Sequence, residues 1–372
     1  MQAPHGPNGA ESNGHETNKP QKTLKPSAAP PIYVVAGGGR RPREAGELDG
    51  RLREANKPQE LMQLVASHLP RFDIGNLVVA FTSAAKFEEG CDMHPSWSGL
   101  LERLLDSDVA KACWAFAKLR FVEEPSARSF WQAMVEPASR RIPGARFVDV
   151  SMICWAFAAT DQVSPAVFEA ASLETRSIVH ELPPRSLAGV AWAFARARHH
   201  DAGLYQLLAR RSGEVLSEFT AHDAASFCWG FATAEMPHTQ LFEQLAIHLN
   251  QPGERNASPL RRLSAPLAAE LCWAFAAASI QVPQAFATLA EVCMSNMEML
   301  ETEDVVGFAW AFATARLDNP TVFRAIADYA ERFAGRFRHA ELQVLAWALQ
   351  SSGCSLGPCF AAAAGRSPYL SG

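Results

Sequence analysis

The sequence predicts an all-α protein, a right-handed α-solenoid of about eight helix-turn-helix repeats of 37–44 residues behind a disordered leader. Three observations carry this. A tryptophan cassette, Cys113-Trp114-Ala115-Phe116-Ala117, returns in register at Trp155, Trp192, Trp229, Trp273, Trp310 and Trp347. The intervals are 41, 37, 37, 44, 37 and 37 residues, and self-similarity at such a period marks stacked units, none of which buries its apolar face alone. Each cassette is followed by a turn, often with Pro, and a second helical segment.

Taken in order, residues 1–60 read as a disordered leader, the place a targeting segment would occupy. Pro20, Pro26, Pro30, Pro31 and the run Gly37, Gly38, Gly39 interrupt any apolar periodicity. Glu11 and Glu16 depart from the acid-poor composition of organelle import sequences. Residues 61–365 form the predicted array and 366–372 a disordered tail.

Counting from the cassette Trp as zero, position −6 is Asp73, Asp108, Asp149, Asp223, Asp304 or Glu341, with Ser186 and Leu267 as departures. An acid or Ser there reads as a helix start whose side chain accepts the free amide two or three residues on. Leu267 lacks that cap, which predicts a ragged start for its repeat. Positions −5, −2 and +2, such as Val150, Ile153 and Phe157, form one apolar face toward the second helix. Positions −1, +1 and +3 are almost always Ala, Gly or Cys, which lets neighbouring helices approach closely. Burying a Trp ring removes roughly 200 Å² from water, a gross contribution near 5 kcal/mol, so the tryptophans read as core and not as base-stacking platforms.

The second helix carries its own aromatic near its start: Phe168, Tyr205, Phe242, Phe286, Phe323 or Phe360. A degenerate first copy lies at Val79-Ala80-Phe81. The two long intervals point to loop insertions near Pro137–Gly144 and Gln251–Pro259.

Composition narrows the function classes. Net charge is −5; residues 1–60 hold nine Lys or Arg against seven acids, which leaves about −7 to the array. A nucleic-acid partner therefore needs a local basic stripe, since the overall field opposes it. Cys113, Cys154, Cys228 and Cys272 precede a cassette Trp where other repeats place Ala, so they read as small apolar residues in a reducing compartment. No apolar run reaches the roughly 18 residues a membrane span requires, which predicts a soluble chain.

The near-38-residue period, the acidic or polar helix start and the central Trp-Ala-Phe-Ala or Trp-Ala-Leu element resemble the octotricopeptide repeat family, related to the Fas-activated serine/threonine kinase-like proteins. The resemblance spans residues from about 70 to 365. It implies an organellar RNA-binding protein, in the mitochondrion or chloroplast, acting on transcript processing, stability or translation, with single-stranded RNA and other organellar RNA-processing proteins as partners. Two features depart from the family. The chain stops at Gly372, after Ala361-Ala362-Ala363-Ala364, where members often carry a further small domain. The family's common Asn at −3 survives only as Asn76.

Positions −3 and +4, seven residues apart, share one face of the first helix, away from the core stripe. Read as a solvent-facing stripe, they nominate Lys111, Lys118, Arg196, Ser226, Thr233, Glu270 and Thr314 for base contacts, one repeat to one base. Freely varying surface positions are the alternative. At +6, Arg120, Arg198 and Arg316 alternate with Asp161, Glu235 and Ser279; any one arginine suits the negative end of its own helix, and their recurrence beside Lys118 and Arg196 suits phosphates. No catalytic constellation, cofactor motif, metal site or small-molecule site emerges. Gly37-Gly38-Gly39-Arg40-Arg41 lacks the context of a phosphate loop, and His199-His200 and Cys354 with Cys359 lack a second ligand pair. The rival class is a protein–protein scaffold of the tetratricopeptide or HEAT type, which the array's acidity favours.

Overall fold

The central cassette helices are almost wholly interior. In the structure, a computed structural model describing residues 43–72, 74–84, 109–118, 125–253 and 258–365, seventeen α-helices and no strand occur among the described residues. They are α1 (Arg43–Glu54), α2 (Pro58–His68), α3 (Ile74–Ala84), α4 (Val109–Lys118), α5 (Pro125–Arg141), α6 (Phe147–Ala159), α7 (Pro165–Ile178), α8 (Pro184–Arg196) and α9 (Ala202–Glu214). The remainder are α10 (Ala221–Thr233), α11 (Thr239–Asn250), α12 (Ala265–Ala277), α13 (Pro283–Ser295), α14 (Thr302–Thr314), α15 (Pro320–Arg332), α16 (His339–Ser351) and α17 (Pro358–Gly365). Each cassette helix packs on the cassette helices before and after it and on its own second helix; the second helices form a parallel row behind. Local pairing repeated along the chain is the packing expected of a helical repeat.

Helical structure starts earlier than the sequence reading placed it. Helix α1 and the beginning of α2 fall inside the segment read as a leader, and α1 packs on α3 as another member of the first-helix row. Asn76 is fully buried in that contact, its Nδ2 donating to Asp49 Oδ1 at 2.7 Å and to the Ala45 carbonyl at 2.9 Å. Residues 1–42 and 366–372, with the expectations of disorder made for them, lie outside the described residues.

The acid at −6 has a different role from the one expected. First helices begin at −8, so the N-cap is −9 and the acid stands at the third helical position. There it accepts the backbone N–H three residues earlier: Asp304 Oδ2 from Glu301 at 3.0 Å and Glu341 Oε2 from Arg338 at 2.7 Å. Thr220 and Asp223 exchange this bond reciprocally, a capping box. The helix with Leu267 is not ragged; it starts in the common register, with Pro266 in its first turn, where a missing N–H is no loss. The extra residues after Trp114 form a loop only in part: α5 runs 17 residues with Pro137 inside the helix, and residues 142–146 make the turn that follows it.

The interior is built as the small residues predicted. Trp155, Trp192, Trp229, Trp273 and Trp310 are buried, while Trp114 and Trp347 are half-buried. Trp192, Trp229, Trp273 and Trp310 form a column of tilted indoles with centroids 6.1, 6.4 and 6.2 Å apart. On the opposite side the +2 phenylalanine meets the aromatic of the second helix edge-on, as in Phe168–Phe194 at 5.2 Å and Phe231–Phe242 at 6.3 Å. Cys154, sealed in this apolar layer, has its thiol pushed up to about 12 by burial, and burial likewise raises Cys228 and Cys272. Such thiols stay protonated and pack as small hydrophobes.

First helices end in one recurring way. The N–H at +7 bonds back to the +2 carbonyl in six repeats: Gln162 to Phe157, His199 to Phe194, Met236 to Phe231, Ile280 to Phe275, Leu317 to Phe312 and Cys354 to Leu349, at 2.8–3.1 Å. This closure places +6 in the left-handed region, a position Gly usually holds. Here Asp161, Arg198, Glu235, Ser279 and Arg316 adopt φ of 53–60°, and only the last copy has Gly353 at φ 75°. A left-handed non-glycine residue costs about 1–2 kcal/mol, partly offset by the greater unfolded-state freedom of Gly. Glu235→Gly should therefore stabilise the fold by roughly 0.5–1 kcal/mol, read as a raised urea midpoint; an unchanged or lowered midpoint would mean the Glu235 side chain makes a compensating contact.

Candidate nucleic-acid interface

Positions −3 and +4 do share a face, but that face meets the preceding first helix. The Asn76 bonds to α1 show where −3 points. Ser226 is accordingly 1 % exposed, and Met152, Gly189 and Gly307 at the same register are buried. Its nomination for base contact is thus corrected: Ser226 lies in a helix–helix interface because neighbouring first helices pack flank to flank. Lys111 and Glu270, also at −3, are half-buried.

The C-terminal end of the same face emerges at +4. Arg196, Thr233 and Thr314 are half-buried. Lys118 ends α4, and its side chain lies outside the described residues, as does Arg120 altogether. Arg196 Nη1 reaches back to Asp161 Oδ1 of the preceding repeat at 3.0 Å, with the two side chains 24 % and 70 % exposed. This contact defines a junction: +6 of one repeat faces +4 of the next. By register the following junctions pair Arg198 with Thr233, Glu235 with Ala277, Ser279 with Thr314 and Arg316 with Ser351.

Residues at +6 are all exposed: Asp161, Arg198, Glu235, Ser279 and Arg316. Their backbone shape is the same in each copy, so their Cα–Cβ bonds leave the helix end in equivalent directions while side-chain chemistry changes from repeat to repeat. The last-turn carbonyls are already engaged by the closing amides, so these arginines are not required to satisfy them. Helix-dipole complementarity does not account for Asp161 and Glu235, which carry the wrong sign for a helix C-terminus.

Two hydroxyls at +4 are sealed behind this edge. Thr233 Oγ1 and Thr314 Oγ1 are enclosed and, among the described residues, hydrogen-bond to nothing. Thr160, at the neighbouring register position, instead donates to the Ala156 carbonyl at 2.8 Å. An enclosed hydroxyl without a partner costs about 1–3 kcal/mol.

Sequence reasoning left Arg198 and Arg316 open between phosphate contacts and complements of their own helix ends, alternating with Asp161, Glu235 and Ser279; in the structure all five are exposed at the same left-handed position after their helices. The signal present in the sequence was the absence of Gly after six of the seven cassette helices, which gains meaning only once five of those helices are seen to close in the left-handed region.

Elsewhere, Arg332 and Arg336 lie over the Phe333 ring at 4.9 and 4.5 Å, and Arg332 also pairs with Glu298 at 3.2 Å. Among the described residues no group of three or more His, Cys, Asp or Glu is placed to hold a metal ion, and no helix is long and apolar enough to cross a membrane. Compared with known proteins, the chain matches no protein-family model and no curated protein.

Proposed function

We propose that this chain is a right-handed α-solenoid of about eight repeats that binds single-stranded RNA and acts on organellar transcripts, in the mitochondrion or chloroplast, in their processing, stability or translation. One observation carries the RNA reading. At +6 the backbone geometry is constant and exposed while the side chain varies through Asp161, Arg198, Glu235, Ser279 and Arg316. A scaffold presenting one changeable polar group per repeat suits a partner built the same way, a regular backbone carrying a variable base. Its organellar setting rests on the resemblance to octotricopeptide repeat proteins.

A protein–protein scaffold is the second reading, favoured by the array's net acidity and by Leu173 and Ile247, 73 % and 60 % exposed at one register of the second-helix row. Filter binding of the full chain to random single-stranded RNA at several salt concentrations separates the two. The RNA reading expects binding that weakens as salt rises, and a several-fold further loss in the double variant Arg198→Ala, Arg316→Ala. Absence of binding even at low salt would end it in favour of the scaffold.

A further inference from the structure

We infer that the second-helix row carries a docking site for an amphipathic helix of a partner protein, formed by Leu173, Arg210 and Ile247 on α7, α9 and α11. The site stands apart from the first-helix ends on which the RNA reading rests, and goes beyond that reading. Leu173 and Ile247 are 73 % and 60 % exposed. Among the described residues only Val163 and Met299 join them as exposed large apolar side chains, and both of those lie outside the α-helices.

The three positions are equivalent. Each falls five residues after the buried aromatic of its helix, Phe168, Tyr205 or Phe242, and so lies on the side turned away from the core. Since α9 packs against both α7 and α11, they form one strip: apolar, cationic, apolar. The repeat itself does not generate this pattern, because α13 and α15 hold Glu291 and Asp328 at the same register.

Charge fixes the centre of the partner. Among the described residues Arg210 pairs with no carboxylate, although the adjacent Arg211 takes Glu214 at 2.9 Å. Its aliphatic stem continues the apolar strip while its guanidinium stays available to an acid. One turn earlier, exposed Glu169 and Glu243 neighbour Leu173 and Ile247, whereas neutral Gln206 neighbours Arg210. A partner carboxylate is therefore favoured only at the middle of the strip, with basic residues suited to its ends.

Spacing selects a helix over a strand. Two steps of about 8–10 Å between packed helices place Leu173 and Ile247 about 16–20 Å apart. In an α-helix, residues i and i+11 are about 16 Å apart on one face, and i+4 and i+7 fall between them on that face. An extended strand covers the span in about six residues, and its midpoint side chain then points to the opposite side. The fitting segment thus carries apolar residues at i and i+11 and Asp or Glu at i+4 or i+7.

The test is selection of a displayed library of Ala-rich helical peptides of about 18 residues, randomised at i, i+4, i+7 and i+11. It is run on the full-length chain, on Arg210→Glu and on the double variant Leu173→Gln, Ile247→Gln. All three positions are exposed, so the variants should retain the fold, which a circular dichroism melt checks. The wild-type chain should enrich apolar residues at i and i+11 with an acid between them. Arg210→Glu should exchange that acid for Lys or Arg, a reversal that neither lost folding nor general adhesion produces. The double variant should bind the enriched peptide at least about tenfold more weakly. Absence of enrichment on the wild-type chain, or the same acidic motif on Arg210→Glu, overturns the proposal. So does self-association of the chain alone, seen by sedimentation, that Arg210→Glu abolishes, or binding to vesicles of anionic lipid that the double variant abolishes. Those two results give the strip to a second copy or to a membrane. No RNA enters the experiment, so its outcome is independent of the filter-binding test.

Discussion

Trp192→Ala should destabilise the protein by about 3–5 kcal/mol, the range for truncating a large aromatic in a packed core. Trp192 is 1 % exposed and stands in the indole column against Trp229 at 6.1 Å. Removing it leaves a cavity between two first helices that cannot collapse, because their backbones are already close. Since each unit is stable only through its neighbours, the loss should reach the flanking repeats and broaden the urea transition as well as lower its midpoint. Trp347→Ala offers the internal comparison: half-buried, it should cost clearly less. Equal effects at the two positions, or a Trp192→Ala effect below about 1 kcal/mol, would show that the column does not hold the units together.

Gly230→Val is the second large effect, expected to cost about 3 kcal/mol and measured by the same titration. Gly230 follows the cassette tryptophan of α10, and a Cβ built there falls 2.7 Å from the Ala191 carbonyl carbon and 2.9 Å from the Trp192 amide nitrogen of α8. Both are backbone atoms, so relief requires moving a whole helix in a layer where α8 and α10 each lie between two other first helices. Every other Trp-bearing cassette carries Ala at this register, so Gly230→Ala tests the local approach directly. It should also destabilise, by less, despite the helix-propensity gain of about 1 kcal/mol that Ala normally brings. A stabilised Gly230→Ala would show that α8 and α10 can separate without loss.

Much of the architecture was legible because it depends on periodicity alone. The cassette spacing announces paired helices, the small residues at −1, +1 and +3 announce close packing, and the aromatics of the second helices fall where they meet the +2 ring, as Phe168 meets Phe194. Two expectations failed for separate reasons. Reading the acid at −6 as the N-cap misplaced each start by three residues, since an acid at the third helical position serves the same free amides from inside the helix, as Asp304 does for Glu301. Reading −3 as solvent-facing assumed that a helix has one covered face. In this layer it has several, so Ser226 became interior while Arg198, judged only for its charge, became part of a repeated edge.

By itself the sequence determined the all-helical class, the repeat period and the residues of the indole column, because burial of an apolar face recurs with the helical and repeat periods and needs no knowledge of neighbours. Only the tertiary structure decided which polar positions face outward. That depends on how closely successive first helices approach, a distance set by backbone contacts such as Gly230 on Ala191, and on the left-handed closure that turns the +6 side chains out of the helix end.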